Sequence, residues 1–272
     1  LRRARLKPGE CVAVFYGAGT GRLRDDSALA AIEAARQAGA RVAVVTDLDA
    51  ERDFVLSLGW GDAVPGAVSL AEIGRRVPQF RWPDTMPDLP DPLTETAAFK
   101  EAVRLFTDEV FKPLGQAVGR ILRSADNPRG TPDLVFERAG RDSLAVATML
   151  VRPNGGRVVY AGDMGGRRYS FYAPQVWMRQ RRILMPQASI IGTHLCNAAE
   201  IAGLNRVIAS GAVRVPETFL GGWRDLPGLH QAMWENRLPE AAGGLAKAVV
   251  AHALPEAGLK SRDELMVAWS QI

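Results

Sequence analysis

Cys11-Val-Ala-Val-Phe-Tyr16 runs directly into Gly17-Ala-Gly-Thr-Gly21, and an alanine-rich stretch from Ala28 to Ala38 follows, closed by Gly39. The first run is short, apolar and rich in β-branched and aromatic side chains, as a strand buried on both faces of a parallel sheet must be. The glycines make a tight turn, Asp26 and Ser27 offer N-cap oxygens, and Gly39 suits the helix end. A second apolar run, Arg41 to Thr46, ends at Asp47. Strand, helix and strand in this order form one βαβ unit with a right-handed crossover, and with it an α/β fold.

The same alternation recurs outward from that unit. A helix is predicted near Glu51 to Leu58. Residues 77–97 contain five prolines and no helical or strand period, which reads as an insertion within the domain. A long helix is predicted from about Ala98 to Arg123, kinked or broken at Pro113. Then come a strand (Asp133–Glu137), a helix (Asp142–Val151), a strand (Gly156–Ala161) and a helix carrying Trp177 and Met178. A strand (Ala188–Thr193) and a helix (Ala198–Ala209) complete the series. The pattern predicts a doubly wound, mainly parallel Rossmann-type sheet of about six strands within residues 1–210. Residues 211–272 leave the pattern: Pro216 to Leu220, a helix around Leu226 to Asn236, a strand from Lys247 to His252 and a last helix. This tail is expected to pack against something outside the sheet.

With 272 residues, 47% hydrophobic and 24% charged, the chain has the apolar mass for a packed core. Disordered, collagen-like and disulfide-scaffold classes are excluded on composition. Cys11 and Cys196 both sit in apolar settings, which suits a reducing, cytoplasmic location. No apolar run reaches the ~18 residues of a membrane span, and LRRARLKPGE lacks the apolar segment of a signal peptide, so no membrane partner is expected. The chain starts at Leu1 and not Met, and is expected to begin partway through a longer gene product. The net charge is +4, from 29 arginines and five lysines interspersed with 30 acidic residues. That reads as a solvated surface, and no nucleic-acid partner is expected. Two local excesses, Arg22 with Arg24 and Arg179 with Arg181 and Arg182, would suit either a phosphate-bearing ligand or plain helix surface.

A dinucleotide site needs a tight glycine turn, close backbone approach to the pyrophosphate and a helix N-terminus aimed at that charge. Gly17, Gly19, Thr20 and Gly21 are the candidates. Their GxGxG spacing places Arg22 where the third glycine of GxGxxG would stand, and Asp25 and Asp26 would compete with phosphate for the same amides. A turn without a ligand is the alternative. Asp47, at the end of the second strand, can accept hydrogen bonds from the ribose hydroxyls of NAD and would repel the 2′-phosphate of NADP; Arg52 lies close enough in sequence to counter it. Asp47 as a simple turn cap is the other possibility. His194, His230 and His252 are scattered, no cysteine pair has zinc spacing and GxSxG is absent, so no metal is expected. His194 follows the strand at Ile190-Ile-Gly-Thr193 and stands at its carboxyl end, where ligands bind in open α/β sheets. It is the candidate catalytic residue, with a structural role as the rival.

The stretches DLVFERAGRDSLAVATMLVRPNGGRVVYAG (133–162), VWMRQRRI (176–183), IIGTHLCNAAE (190–200) and LNRVIASGAVRVPETF (204–219) resemble the cofactor-binding half of crotonyl-CoA carboxylase/reductases. These belong to the zinc-independent medium-chain dehydrogenase/reductase superfamily, whose entry into its nucleotide domain is similar to LKPGECVAVFYGAGTG (6–21). The resemblance implies NADPH-dependent reduction of an α,β-unsaturated acyl-CoA. Hydride goes to the β-carbon, and the enolate is trapped by CO2 or a proton. It implies that His194, within Gly192-Thr-His-Leu-Cys-Asn197, helps to hold CO2, and that Gly17 to Gly21 and Gly162 face the cofactor. It also implies an N-terminal catalytic domain or partner subunit outside these residues, an acyl-CoA substrate bound between the two, and a homo- or hetero-oligomer.

Three departures stand out: the extra Arg-Leu-Arg-Asp at 22–25, apparent insertions at 77–97 and Leu184 to Ala188, and Asp47 where the family has small polar residues suited to NADP. The cofactor is therefore left as NADPH or NADH. The functions to be weighed are the nucleotide-binding portion of an enoyl-CoA reductase, a degenerate Rossmann scaffold without redox activity, and a nucleotide- or CoA-thioester-binding module.

Overall fold

Valine-rich runs bounded by glycine turns form the centre of the chain. In a computed structural model, residues 2–17, 26–81, 90–91, 93–137, 141–161, 187–193, 197–211, 217–222, 225–235 and 247–251 are described. The strands are β1 (Cys11–Phe15), β2 (Arg41–Thr46), β3 (Gly66–Ser69), β4 (Leu134–Glu137), β5 (Arg157–Tyr160) and β6 (Ser189–Gly192). They pair in parallel, in the order β3-β2-β1-β4-β5-β6. This is the doubly wound Rossmann order, with its reversal between β1 and β4.

The two-residue period of a strand sends alternate side chains to opposite faces. Cys11, Ala13 and Phe15 join Ala43, Val45, Val135 and Val158 in a cluster beneath the helices α3 (Leu70–Arg76), α4 (Thr96–Leu105), α5 (Lys112–Leu122) and α6 (Arg141–Leu150). Val12, Val14, Val42 and Val44, all fully buried, face the other way, on the side where α1 (Asp26–Gln37) buries Leu29, Ile32 and Ala35. Each valine, leucine, isoleucine or phenylalanine among them contributes roughly 1.5–3 kcal/mol by leaving water.

The alternation read from the sequence is present, with three differences. The strand β3 and the helix α3 were not anticipated: GAVS is four residues long, too short to carry a period. The long helix is interrupted before Pro113, because residues Phe106–Phe111 form a π-helical segment and Pro113 sits in the first turn of α5, where its missing N–H costs little. Residues 82–89 of the proline-rich stretch lie outside the described residues, as does the helix expected around Trp177.

The chain divides into two units, residues 1–197 and 198–272. The second contains α7 (Ala198–Ala209), α8 (Leu226–Trp234) and a two-stranded parallel sheet of β7 (Glu217–Gly222) and β8 (Lys247–Ala251). No helix among the described residues is long and apolar enough to cross a membrane.

Candidate functional site

Open parallel sheets bind ligands outside the carboxyl ends of their strands, at the point where strand order reverses. Here that point is flanked by Gly17, which follows β1, and Glu137, which ends β4. Gly17 has φ +84°, a left-handed conformation that side chains other than glycine's adopt at a cost. A Cβ placed on it would lie 2.7 Å from Glu51 Oε1 and 2.9 Å from Glu51 Oε2. The turn therefore needs glycine twice over, for its backbone and for the carboxylate packed against it.

Glu51 belongs to the first turn of α2 (Asp49–Ser57) and is 1% exposed. Its Oε2 accepts the backbone N–H of Asp47 at 2.9 Å and of Leu48 at 3.0 Å. Leu48 has no side-chain acceptor to cap the helix, so the glutamate reaching back from the third helical position satisfies the free amides instead. One buried carboxylate thus ties together the ends of β1 and β2.

Around it the surface is acidic and internally paired. Asp49 accepts hydrogen bonds from the Ser69 hydroxyl, from Arg75 at 2.6 Å and from Arg52 at 3.2 Å. The Ser69 hydroxyl, with the two guanidinium groups, holds the Asp49 carboxyl below its ordinary range. Arg52 also bonds Asp53 and Glu72, and Glu72 takes Arg76 as well. Among the described residues, Arg52, Arg75 and Arg76 pair with Asp49, Asp53 and Glu72, and Arg52 serves all three of those acids.

Glu137, also fully buried, accepts the Ser143 hydroxyl of α6 at 2.5 Å on the other side of the switch point. Glu51 and Glu137 were both missed in the sequence. The signals were there: a glutamate three residues after a helix start, and an acid ending an otherwise apolar strand.

Of the residues read as site candidates, the structure brings Gly17 and Asp47 to the carboxyl edge of the sheet, joined through Glu51. Gly19, Thr20, Gly21, Gly162 and His194 lie outside the described residues, as do Cys196 and the arginines at 22, 24, 179, 181 and 182. Among the described residues no group of three or more His, Cys, Asp or Glu is placed to hold a metal ion. A groove of about 690 Å³ lies elsewhere, toward the amino end of β4. Arg120, Arg123, Arg129, Thr131 and Leu150 are among its lining, and none of the site candidates reaches it.

A nicotinamide dinucleotide fits this edge in part. The adenosine ribose presents hydroxyl donors, and carboxylates here can accept them. A 2′-phosphate presents only negative charge, and it would meet amides already bonded to Glu51 and an arginine already committed to acids. Among the described residues at this edge, the donors at the end of β2 are already bonded to carboxylates.

Strand order and switch point define an α/β fold of the Rossmann type. No protein-family model matches the chain. It is similar to the crotonyl-CoA carboxylase/reductase of Cereibacter sphaeroides, 24% identical over 263 residues that make up 97% of this chain and 51% of the relative. Among solved structures, the crotonyl-CoA carboxylase/reductase AntE in complex with NADP superposes with a TM-score of 0.60 at 21% identity, over 90% of this chain and 50% of AntE. The 2-octenoyl-CoA carboxylase reductase CinF, in complex with NADP and 2-octenoyl-CoA, gives 0.59 at 20% identity, over 98% of this chain and 48% of CinF. The chain spans about half the length of the relatives it matches.

Proposed function

We propose that this chain is the nucleotide-binding portion of an NAD(P)H-dependent enoyl-thioester reductase, related to the reductive carboxylases that act on crotonyl-CoA. The observation that carries the reading is a coincidence of extent. Nearly the whole chain runs along one half of a crotonyl-CoA carboxylase/reductase, and its sheet places Gly17 at the switch point where such a half would hold a dinucleotide. His194 remains the candidate for holding CO2, and Gly162 a candidate for the cofactor. Asp47 would take the adenosine ribose. The reduced nicotinamide supplies the hydride when bound; this chain binds and orients it, and a second domain, in cis or in a partner, closes the acyl-CoA cleft. Orientation inside such a closed cleft provides much of the barrier reduction, so half a cleft does not turn over.

The test is oxidation of NADH and NADPH in the presence of crotonyl-CoA, with and without bicarbonate. The 272-residue chain alone is expected to be silent. The same chain fused behind the amino-terminal half of the Cereibacter relative is expected to oxidise dinucleotide in proportion to enoyl-CoA consumed. Turnover by the chain alone contradicts the half-site reading. A folded fusion that stays silent favours the rival, a Rossmann scaffold without redox activity, which draws on the altered glycine spacing after Gly17.

A further inference from the structure

The groove toward the amino end of β4 plays no part in the function proposed above, and its positive charge is uncompensated. Arg120, Arg123 and Arg129 line it, all three are exposed, and among the described residues no carboxylate bonds any of their guanidinium groups. None of its described lining residues is acidic, and Asp126, between Arg123 and Arg129 in sequence, pairs with neither. Elsewhere on the same unit Arg52, Arg75, Arg104 and Arg152 all bond carboxylates, at 2.5–3.2 Å. Lys112, the remaining cation of the lining, is committed to Asp108 at 2.6 Å. We infer that this groove is a second ligand site, for a small molecule of nucleotide size that carries two phosphate groups.

The three arginines are held in place by the backbone beneath them. Arg120 and Arg123 stand one turn apart at the end of α5, close enough to meet one phosphate together. Arg129 comes from the turn that packs on α5 where Gly130 meets Gly119, and it is placed to take a second phosphate. Asn127 fixes that turn: its carbonyl accepts the Gly130 N–H at 3.0 Å, and its side chain bonds the Thr131 N–H at 3.2 Å and carbonyl at 3.0 Å. The groove of about 690 Å³ lies within the range of small-molecule sites, roughly 300–1,000 Å³. Phe111 and Leu150 give it apolar wall for an organic body between the phosphates. Cations at the end of a helix also offset its dipole, but that dipole amounts to only about half a negative charge. Three guanidinium groups exceed it.

Isothermal titration of the full chain tests this with adenosine 3′,5′-bisphosphate, AMP, adenosine and inorganic phosphate, each with and without saturating NADH. The proteins are wild type, Arg120→Gln and Arg129→Gln, both substitutions at exposed side chains. Wild type is expected to bind the bisphosphate about tenfold more tightly than AMP and to give no heat with adenosine. NADH, whose phosphates are singly charged diesters, is expected not to displace the bisphosphate. Each variant is expected to lose about tenfold in bisphosphate affinity while keeping its thermal midpoint and its affinity for NADH. Equal bisphosphate affinity in wild type and both variants overturns the assignment, as does displacement by NADH. Inorganic phosphate binding as tightly as the bisphosphate means an adventitious ion only, and overturns it too. So does failure of the bisphosphate to bind; if a polyglutamate peptide then binds and the variants weaken it, the groove is a docking surface for an acidic protein instead. Should NADH itself not bind, the cofactor reading falls, and the arginine variants still decide this one.

Discussion

The Glu51 carboxylate holds the backbone at the end of β2. Glu51 is buried, accepts two backbone N–H groups and sits within van der Waals reach of the Gly17 backbone. A charged group held this way is costly to bury and costly to leave unpaired, so its amides and its cavity are fixed together. Cys11 is a second buried titrating group. It lies in β1, 3% exposed, and burial pushes its thiol pKa up, against a smaller downward pull from the Asn127 amide that donates to Sγ at 3.3 Å. The unfolded chain loses this proton near the ordinary thiol value of 9.0 and the folded chain at higher pH. Between the two values the folded state binds more protons, so stability falls as pH rises. Wild type is therefore expected to lose stability, relative to Cys11→Ala, as pH climbs above 9.0, in urea melts at stepped pH. Thiol reagents at neutral pH should leave Cys11 unmodified until the chain unfolds. A stability difference between the two proteins that is flat across this range contradicts the account.

At the scale of elements, the fold depends on close backbone approach as much as on side chains. The turn that feeds β4 touches α5 at Gly130 and Gly119. A Cβ on Gly130, which has φ +65°, would fall 2.0 Å from the Gly119 carbonyl oxygen, backbone against backbone. Gly155 has φ +98° with nothing within 4 Å of the added atom. Gly155→Ala is expected to cost about 1–2 kcal/mol, from conformation alone. Gly130→Ala is expected to cost at least about 3 kcal/mol, because α5 must move. Equal costs in chemical denaturation would contradict the packing described.

The elements also show what the sequence made legible. β1, β2 and β5 are valine-rich runs beside glycine turns, and they could be read directly. β3 could not, because four residues beginning Gly66-Ala67 carry no pattern and owe their conformation to pairing with β2. The break in the long helix was legible as to place but not as to kind. Pro113 marks it, yet the π-helical turn lies just upstream, with the Thr107 hydroxyl bonding the Val103 carbonyl. The candidate site was half legible: Gly17 and Asp47 stand out by position, whereas Glu51 packs against a residue 34 positions earlier, a contact no local pattern encodes.

Across the whole molecule, the dinucleotide site we propose lies at the carboxyl edge of the six-stranded sheet, around the ends of β1 and β2. The arginine-lined groove toward the amino end of β4 offers a competing location on the same unit. Hydrogen exchange of the full chain with and without saturating NADH separates the two. The account predicts slowed exchange at the amides of residues 15–17 and 45–51, with the groove residues 119–132 unchanged. No protection at those strand ends under saturating NADH, or protection confined to residues 119–132, would contradict it.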